Sequence, residues 1–486
     1  MSAFQERFKQ HEKKLTETDY FQRAFKSALY HENWKNHIDD ITKIKGFKGL
    51  QKLPYTSAGD LRRVWENHSI EEIILEDVVA WWYCTSGSMG NKKWIPWTYS
   101  DYTMAQGAIA EILMNNMKPN DKLMSIILPP PFLSGSSPFR ILEGTASIGT
   151  PLEQLAMAPE YLPDSFGLLM RRQPTAILGT PSFMVRIADE MAQRAPEILK
   201  MQAEQKKSAK LRIASAVTKV VKVKPKTIFK KLRLGFFGAE PLDPFRKTIE
   251  DLWGLEAFDI YAFTEGYGAG YECKEHNGLH FPNMNGVIEI IPEKELAKEE
   301  NDSNYIPEAV IFNEAEVGLK GEIVLTDFKS ALPLVRYRIR DLVEVVAVGG
   351  CSCGVDDTRL KIHGRTDNVI NLGVIRLSSI IFDQQLRKDF KTGAVKVWEV
   401  LVSRDGYKPK ISLTIEPEFV KNEDEFRKEL FDSLHSFDLF QRGYDNSLFI
   451  FDEIKFVDNL KLEIYGQGKS RTIRYDPGFF KEIKYR

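Results

Sequence analysis

Short apolar runs alternate along this chain with stretches in which apolar positions recur every three or four residues. The first eighty residues are helical in pattern and highly charged, with a Pro-Tyr-Thr-Ser turn at Pro54 to Ser57. Val78 to Tyr83 is an apolar run closed by Thr, Ser and Gly, which predicts a buried strand. Thr98, with Asp101 three residues later, opens a helical pattern through Met104, Ala108, Ile112 and Leu113. Lys122 to Leu128 reads as strand again and stops at Pro129, Pro130 and Pro131. Thr175 to Leu178 and Leu232 to Phe237 predict two more strands, each followed by proline and a helical pattern. From Val287 to Val346 strands dominate, at Val287 to Ile291, Glu322 to Leu325 and Leu342 to Val346. Strand and helix in alternation predict an α/β fold with a partly parallel sheet.

Composition narrows the class. A chain of 486 residues, 43% hydrophobic, is long enough for more than one domain. With 67 Lys plus Arg against 68 Asp plus Glu, the formal charge of −1 argues against a protein that coats nucleic acid. Charged residues at 28% and aromatics at 11% exclude wholesale disorder. No segment approaches the roughly 20 apolar residues that span a bilayer, and Met1 to Arg7 leads into more charge rather than an apolar leader. Four cysteines in so long a chain exclude a small disulfide framework. The expectation is a soluble, cytoplasmic protein of more than one domain, with neither membrane nor nucleic-acid partners. Two charge runs are read as solvated: Lys200 to Arg233, with 12 basic residues against Glu204, is a helical face, and Glu293 to Asp302 is an exposed loop.

Candidate chemistry begins directly after the first predicted strand. Thr85-Ser86-Gly87-Ser88-Met89-Gly90-Asn91-Lys92-Lys93 combines small hydroxyl and glycine residues, which let backbone N–H groups surround an anion, with terminal lysines. The Walker spacing is absent. Gly238-Ala239-Glu240-Pro241 ends a strand, and Tyr261-Ala262-Phe263-Thr264-Glu265 follows after a helix and a further strand. Tyr337-Arg338-Ile339-Arg340-Asp341, Gly364-Arg365-Thr366-Asp367 and Gly468-Lys469-Ser470-Arg471 complete the series. Gly266-x-Gly268-x-Gly270 imitates a dinucleotide fingerprint but lacks its spacing and its helix.

In this order and at these separations the set resembles the adenylate-forming superfamily of acyl-CoA synthetases. Within it, Cys273 to His280, Leu332 to Tyr337 and Cys351-Ser352-Cys353-Gly354 resemble the phenylacetate–CoA ligase-like branch, from about Leu53 to Arg474. The resemblance implies roles. Thr85, Ser86, Gly87, Ser88, Gly90 and Lys93 would hold the β- and γ-phosphates of ATP. Glu265, after Thr264, would hold Mg²⁺. Gly238, Ala239, Glu240 and Pro241 would wall the adenine, with Tyr261 packing on the base. Asp341 would accept from the ribose hydroxyls, and Arg365 would add a cation near ribose or phosphate. Lys469 would stand between the substrate carboxylate and the α-phosphate, with Lys461 as its rival. Each role has a structural alternative: Glu265 as a surface acid, Tyr261 as a core aromatic, Asp341 paired with Arg338 or Arg340. The sequence departs from the family pattern at Met89, where a hydroxyl residue is usual, at Arg340, where glycine is usual, and at Asn368 in the hinge region.

Cys84 reads as a small buried hydrophobe. Cys273, His280, Cys351 and Cys353 make a closed set of three thiols and an imidazole of the kind that binds structural Zn²⁺, and the branch includes members with such a cluster. Cys351-x-Cys353 is a tight spacing, His276 is a second imidazole, and free buried cysteines are the other reading. The resemblance thus implies a large α/β domain over residues 1–367 and a small, mobile α+β lid over 368–486, hinged at Arg365 to Asn368. It also implies a cytoplasmic ligase, by default a homodimer, that joins a carboxylic acid to coenzyme A through an acyl-adenylate. An aryl or arylalkyl acid such as phenylacetate is expected, with Phe132, Phe236, Phe237 and Tyr267 as pocket candidates, although burial in the core is the default for such side chains. The alternatives are an adenylate-forming enzyme that serves an amine or a carrier-protein thiol, and a non-catalytic nucleotide-binding module.

Overall fold

The computed structural model describes residues 3–479 apart from 77, 85–92, 106–115, 127–132, 151, 158–160, 206–222, 267–268, 282–284, 303, 366–368, 373–374 and 466–468. Up to residue 365 its strands are β1 (Trp81–Cys84), β2 (Trp94–Trp97), β3 (Lys122–Ile126), β4 (Glu153–Met157), β5 (Ala176–Gly179), β6 (Leu234–Phe237) and β7 (Glu256–Ala262). They continue with β8 (Ala269–Glu272), β9 (Leu279–His280), β10 (Gly286–Pro292), β11 (Val310–Ile311), β12 (Lys320–Asp327), β13 (Tyr337–Val348) and β14 (Thr358–Arg365). Helices Ala3–Glu17, Ala28–Trp34 and Ala58–Asn67 precede them, as the charged helical pattern of the first eighty residues predicts.

All but β1 and β2 join one sheet in the order β11-β10-β12-β13-β14-β9-β8-β7-β6-β5-β3-β4. From β7 through β6, β5 and β3 to β4 every pairing is parallel, whereas β7 meets β8 antiparallel. The partly parallel sheet that the alternation predicts is therefore present, and its change of direction falls on β7. Ligands in open α/β sheets bind outside the carboxyl ends of the parallel strands, and the Gly238 to Pro241 and Thr264–Glu265 segments leave β6 and β7 at those ends.

The helix opened by Thr98 is present over residues 99–105, while Ala108, Ile112 and Leu113 lie outside the described residues; its first turn is closed reciprocally, with Thr98 N donating to Asp101 Oδ2 at 2.9 Å and Asp101 N to Thr98 Oγ1 at 3.2 Å. One expectation is corrected. The acidic run is not a loop but the helix Glu293–Asn301, whose first turn carries Glu293 and Glu295 at the positive end of the helix dipole. Phe236 and Phe237 take the core alternative: every position of β6 is buried, since the strand has parallel neighbours on both sides, and Phe236 stacks on Phe258. Phe132 and Tyr267 lie outside the described residues, as do residues 206–222 of the basic run at 200–233.

Beyond residue 368 a second hydrophobic cluster forms from Ile370, Leu377, Trp398, Val400, Leu413, Phe426 and Phe440. Its strands are β15 (Val369–Leu372), β16 (Ile375–Ser378), β17 (Gly393–Asp405), β18 (Lys408–Val420), β19 (Ile450–Phe456), β20 (Glu463–Tyr465), β21 (Lys469–Arg471) and β22 (Ile473–Tyr475). β19-β18-β17-β22 form a sheet, backed by helices Glu423–His435 and Asp438–Asp445. The tip of the β17–β18 hairpin meets the larger unit: the Arg404 guanidinium lies 4.5 Å from the Phe245 ring and 4.1 Å from that of Phe479. Arg186 of the larger unit donates to the carbonyl of Asn446 at 3.0 Å. Among the described residues, no helix is long and apolar enough to cross a membrane.

Candidate functional site

β1 and β2 pair antiparallel with Cys84 opposite Trp94, so residues 85–93 form the connection between them. Thr85, Ser86, Gly87, Ser88 and Gly90 lie outside the described residues. Lys93, the last residue of that connection, is described: its Nζ donates to Glu265 Oε1 at 2.8 Å and to the Tyr337 phenol oxygen at 3.0 Å. Glu265 is not a surface acid but is 9% exposed, with Tyr337 Oη 3.5 Å from the same carboxylate oxygen. Burial opposes the Lys93 ammonium, yet Glu265 and Tyr337 outweigh it and raise its pKa above the ordinary lysine value. The Lys93 ammonium is therefore held charged. Thr264 sits half-buried in the same turn.

Tyr261 is not a plain core aromatic either. Its phenol donates to Asp341 Oδ2 at 2.6 Å while its ring meets Phe263 and Phe281 edge-on. Asp341 is 8% exposed and stands opposite Arg365 in the β13–β14 register. Arg338 and Arg340 turn to other acids: Arg338 grips Glu322 with two bonds of 2.8 Å, and Arg340 reaches Glu322 at 3.3 Å. Arg340 has φ +72°, a conformation that suits glycine, so the departure at that position keeps the backbone that a glycine would adopt.

The Gly238 to Pro241 segment follows β6 closely against β7. A Cβ at Gly238 would come within 2.7 Å of the Ile260 carbonyl oxygen, and Ala239 has φ +74°. The Glu240 side chain is buried and accepts from Ser182 N at 2.7 Å, at the start of helix Pro181–Gln205. Burial raises the Glu240 pKa, and the nearby Arg404 guanidinium works against that rise. Lys469 lies in the short β20–β21 hairpin opposite Tyr465. Thr366, Asp367 and Asn368, the rest of the expected hinge, are outside the described residues.

The second constellation is assembled by the same sheet. Cys273 follows β8, His280 ends β9, and Cys351 and Cys353 lie in the β13–β14 connection. The ligand atoms of all four lie within 4.8 Å of one another. Cys273 Sγ is 3.6 Å from Cys351 Sγ, and Cys353 Sγ is 3.5 Å from His280 Nε2. Such separations suit a tetrahedral ion with metal–sulfur bonds of about 2.3 Å. His280 Nδ1 meets Asp357 Oδ1 at 2.5 Å, which leaves Nε2 facing the thiols, the arrangement that fixes a metal-binding imidazole. His276 is engaged elsewhere, with Glu272 at 3.1 Å and Glu256 at 3.4 Å.

Four residues here were given no role by sequence reasoning. Tyr337 was quoted only as part of a motif. Asp357 lies four residues after Cys353, a nearby acid that was available as a signal. Lys329 interrupts the apolar stretch Phe328 to Val335. Asp259 stands two residues before Tyr261 on β7, and burial, with the Glu272 carboxylate, pushes its pKa up to about 8.

No family model matches the chain. It is 26% identical over 387 residues to a phenylacetate–coenzyme A ligase of Pseudomonas putida, a match that covers 78% of this chain and 74% of the relative. It is 25% identical over 394 residues to the phenylacetate–coenzyme A ligase of Escherichia coli, with 78% and 75% covered. In fold it is similar to a crystal structure of 2-hydroxyisobutyryl-CoA ligase in complex with 2-HIB-AMP and CoA, with a TM-score of 0.66 at 18% identity, over 97% of this chain and 90% of that one. An acyl acid amido synthetase in complex with 2,4-DB matches with a TM-score of 0.50 at 14% identity, over 93% and 86%. By sequence, over 78% of its length, the chain resembles phenylacetate–CoA ligases, and over 97% of its length it shares the fold of a 2-hydroxyisobutyryl-CoA ligase.

Proposed function

We propose that the chain is an ATP-dependent carboxylate–coenzyme A ligase, an acid–thiol ligase that works through an acyl-adenylate. One observation carries the reading: β7 with its following turn meets β13 twice, through Tyr261 with Asp341 and through Glu265 with Tyr337 and Lys93. A carboxylate suited to a ribose diol and a buried carboxylate–ammonium pair suited to phosphates thus share one strand end. The likeness to phenylacetate–CoA ligases supports the same reading.

In the first half-reaction a carboxylate oxygen of the acid attacks the α-phosphorus of ATP, and pyrophosphate leaves with the electrons of the broken P–O bond. In the second, the coenzyme A sulfur attacks the acyl carbonyl carbon, AMP leaves, and the thiol proton passes to solvent. Glu265 offers a hard carboxylate oxygen of the kind that would hold Mg²⁺, whose contribution when bound is neutralisation of phosphate charge. Lys93 then serves the phosphates. Lys469, on a lid that begins at about residue 368, serves the charge that develops as the carboxylate attacks. Residues 365–368 are the hinge. Cys273, His280, Cys351 and Cys353 fit a structural Zn²⁺, with Asp357 orienting His280.

For the acid we infer the aryl or arylalkyl class; this rests on the sequence likeness. A second reading, transfer to an amine or a carrier-protein thiol, is kept by the fold likeness to an acyl acid amido synthetase. Pyrophosphate release from ATP, measured over a panel of carboxylic acids with and without coenzyme A, tests all of these. Acid-dependent release with thioester product is expected. Release without thioester would favour another acceptor, and no release with any acid would leave a nucleotide-binding module.

A further inference from the structure

The segment between β12 and β13 runs Phe328-Lys329-Ser330-Ala331-Leu332-Pro333-Leu334-Val335, a lysine set in a nearly apolar stretch. The Lys329 side chain is 0% exposed. An ammonium taken out of water is costly unless it is both paired and hydrogen-bonded. It has two acceptors: the Oδ2 of Asp327, itself fully buried, and the backbone carbonyl oxygen of Glu265.

Asp327 alone meets the need for a counter-charge. Its other oxygen accepts from the backbone N–H groups of Lys329 at 2.9 Å and Leu334 at 3.2 Å, so the carboxylate and its loop are locked together. Ser330 N donates to Asp101 Oδ1 at 2.9 Å, and Leu75 N donates to the Ala331 carbonyl at 2.8 Å, which ties the loop to the body. A further N–H of the ammonium donates to the Glu265 carbonyl, 64 residues back in the chain, and so ties the peptide that follows the Glu265 Cα to the same rigid loop. The turn around that peptide has little other freedom: a Cβ at Gly266 would come within 2.6 Å of both Leu325 and Phe263.

We propose that Lys329 is a positioning residue for Glu265: from a rigid loop its ammonium fixes the Glu265 carbonyl, and with it the direction in which the carboxylate meets Lys93 and the metal–nucleotide. The inference rests on the reading of Glu265 given above. Partners that orient a metal-binding side chain without touching the metal change metal affinity or activity by about 10–100-fold when removed. The same range is expected here.

Lys329→Met keeps the stem and removes the ammonium, but it leaves Asp327 as a buried, unpaired charge and will destabilise the fold. Asp327→Asn/Lys329→Met removes both charges, so the thermal midpoint should return toward that of the parent protein. In both variants the Mg²⁺ concentration for half-maximal pyrophosphate release should stay raised by about 10–100-fold. Calorimetric titration of the parent and double variant with Mg²⁺–ATP should show the same loss, while AMP, titrated without metal, binds equally to both. A double variant that regains both its thermal midpoint and its Mg²⁺ dependence would show that the pair only stabilises the fold. Glu265→Gln, run in parallel, separates the two readings. Altered Mg²⁺ dependence in Glu265→Gln with none in Lys329→Met overturns the role of Lys329 alone; no change in Glu265→Gln overturns the reading of Glu265 and this inference with it.

Discussion

The Tyr261 phenol donates to Asp341 Oδ2 across 2.6 Å, joining residues 80 positions apart in the chain. The bond couples β7, where the sheet changes from parallel to antiparallel, to β13, whose Arg338 and Arg340 are committed to Glu322. A carboxylate held in this way is oriented before any nucleotide arrives.

Tyr261→Phe keeps the ring against Phe263 and Phe281 and removes only the donor. The KM for ATP should rise about tenfold with little change in kcat, because Asp341 loses the donor that orients it, in binding that is common to ground and transition states. Asp341→Ala should give a loss of the same kind, and the double variant should lose less than the sum. Full additivity of the two losses would separate the residues functionally.

The Cys/His cluster should carry about one zinc per chain when the protein is purified without added metal, as measured by elemental analysis. Asp357→Asn should weaken zinc binding by about 10–100-fold in a competition with a chromogenic chelator, since it removes the group that orients His280. Chelation should lower the thermal midpoint, because the ion would tie β8 and β9 to the β13–β14 connection. Metal-free protein with an unchanged midpoint would leave these side chains as ordinary thiols and an imidazole.

Asp259 sets a pH dependence whose sign follows from its raised pKa of about 8 against an ordinary value of 3.8. Between those values the folded protein holds a proton that the unfolded chain has released. Stability from this group is therefore full below about pH 4, falls as pH rises toward 8, and is flat above. Asp259→Asn should flatten that fall in chemical denaturation series run across the range. Parallel curves for the variant and the parent protein would place the raised pKa elsewhere.

Lys469→Ala should lose adenylation by a factor of ~10²–10³, the usual size for one deleted donor to a developing charge. The same variant should convert supplied acyl-adenylate and coenzyme A to thioester at nearly the parental rate, because the lid presents other groups in that half-reaction. Equal losses in both half-reactions would assign Lys469 to lid packing instead.

Local pattern was enough for the alternation of strand and helix, for the capped helix at Thr98, and for the short residue sets that mark the site. Each of these is written in neighbouring residues, where propensity, capping and turn chemistry act. The same local reading failed at Glu293–Asn301, where helix-dipole placement of acids outweighed a loop-like run of charge. The set Cys273, His280, Cys351 and Cys353 was legible in the residue types, whereas Asp357 as the partner of His280 follows only from where β9 lies. The contacts that give the site its chemistry were beyond sequence altogether: Lys93 meets Glu265 across 172 residues, and Lys329 reaches the Glu265 carbonyl across 64. Such pairs depend on strand order and on which buried charges must find partners away from water. Residue types and their local spacing are written in the chain, whereas the contacts among them follow from the folded sheet.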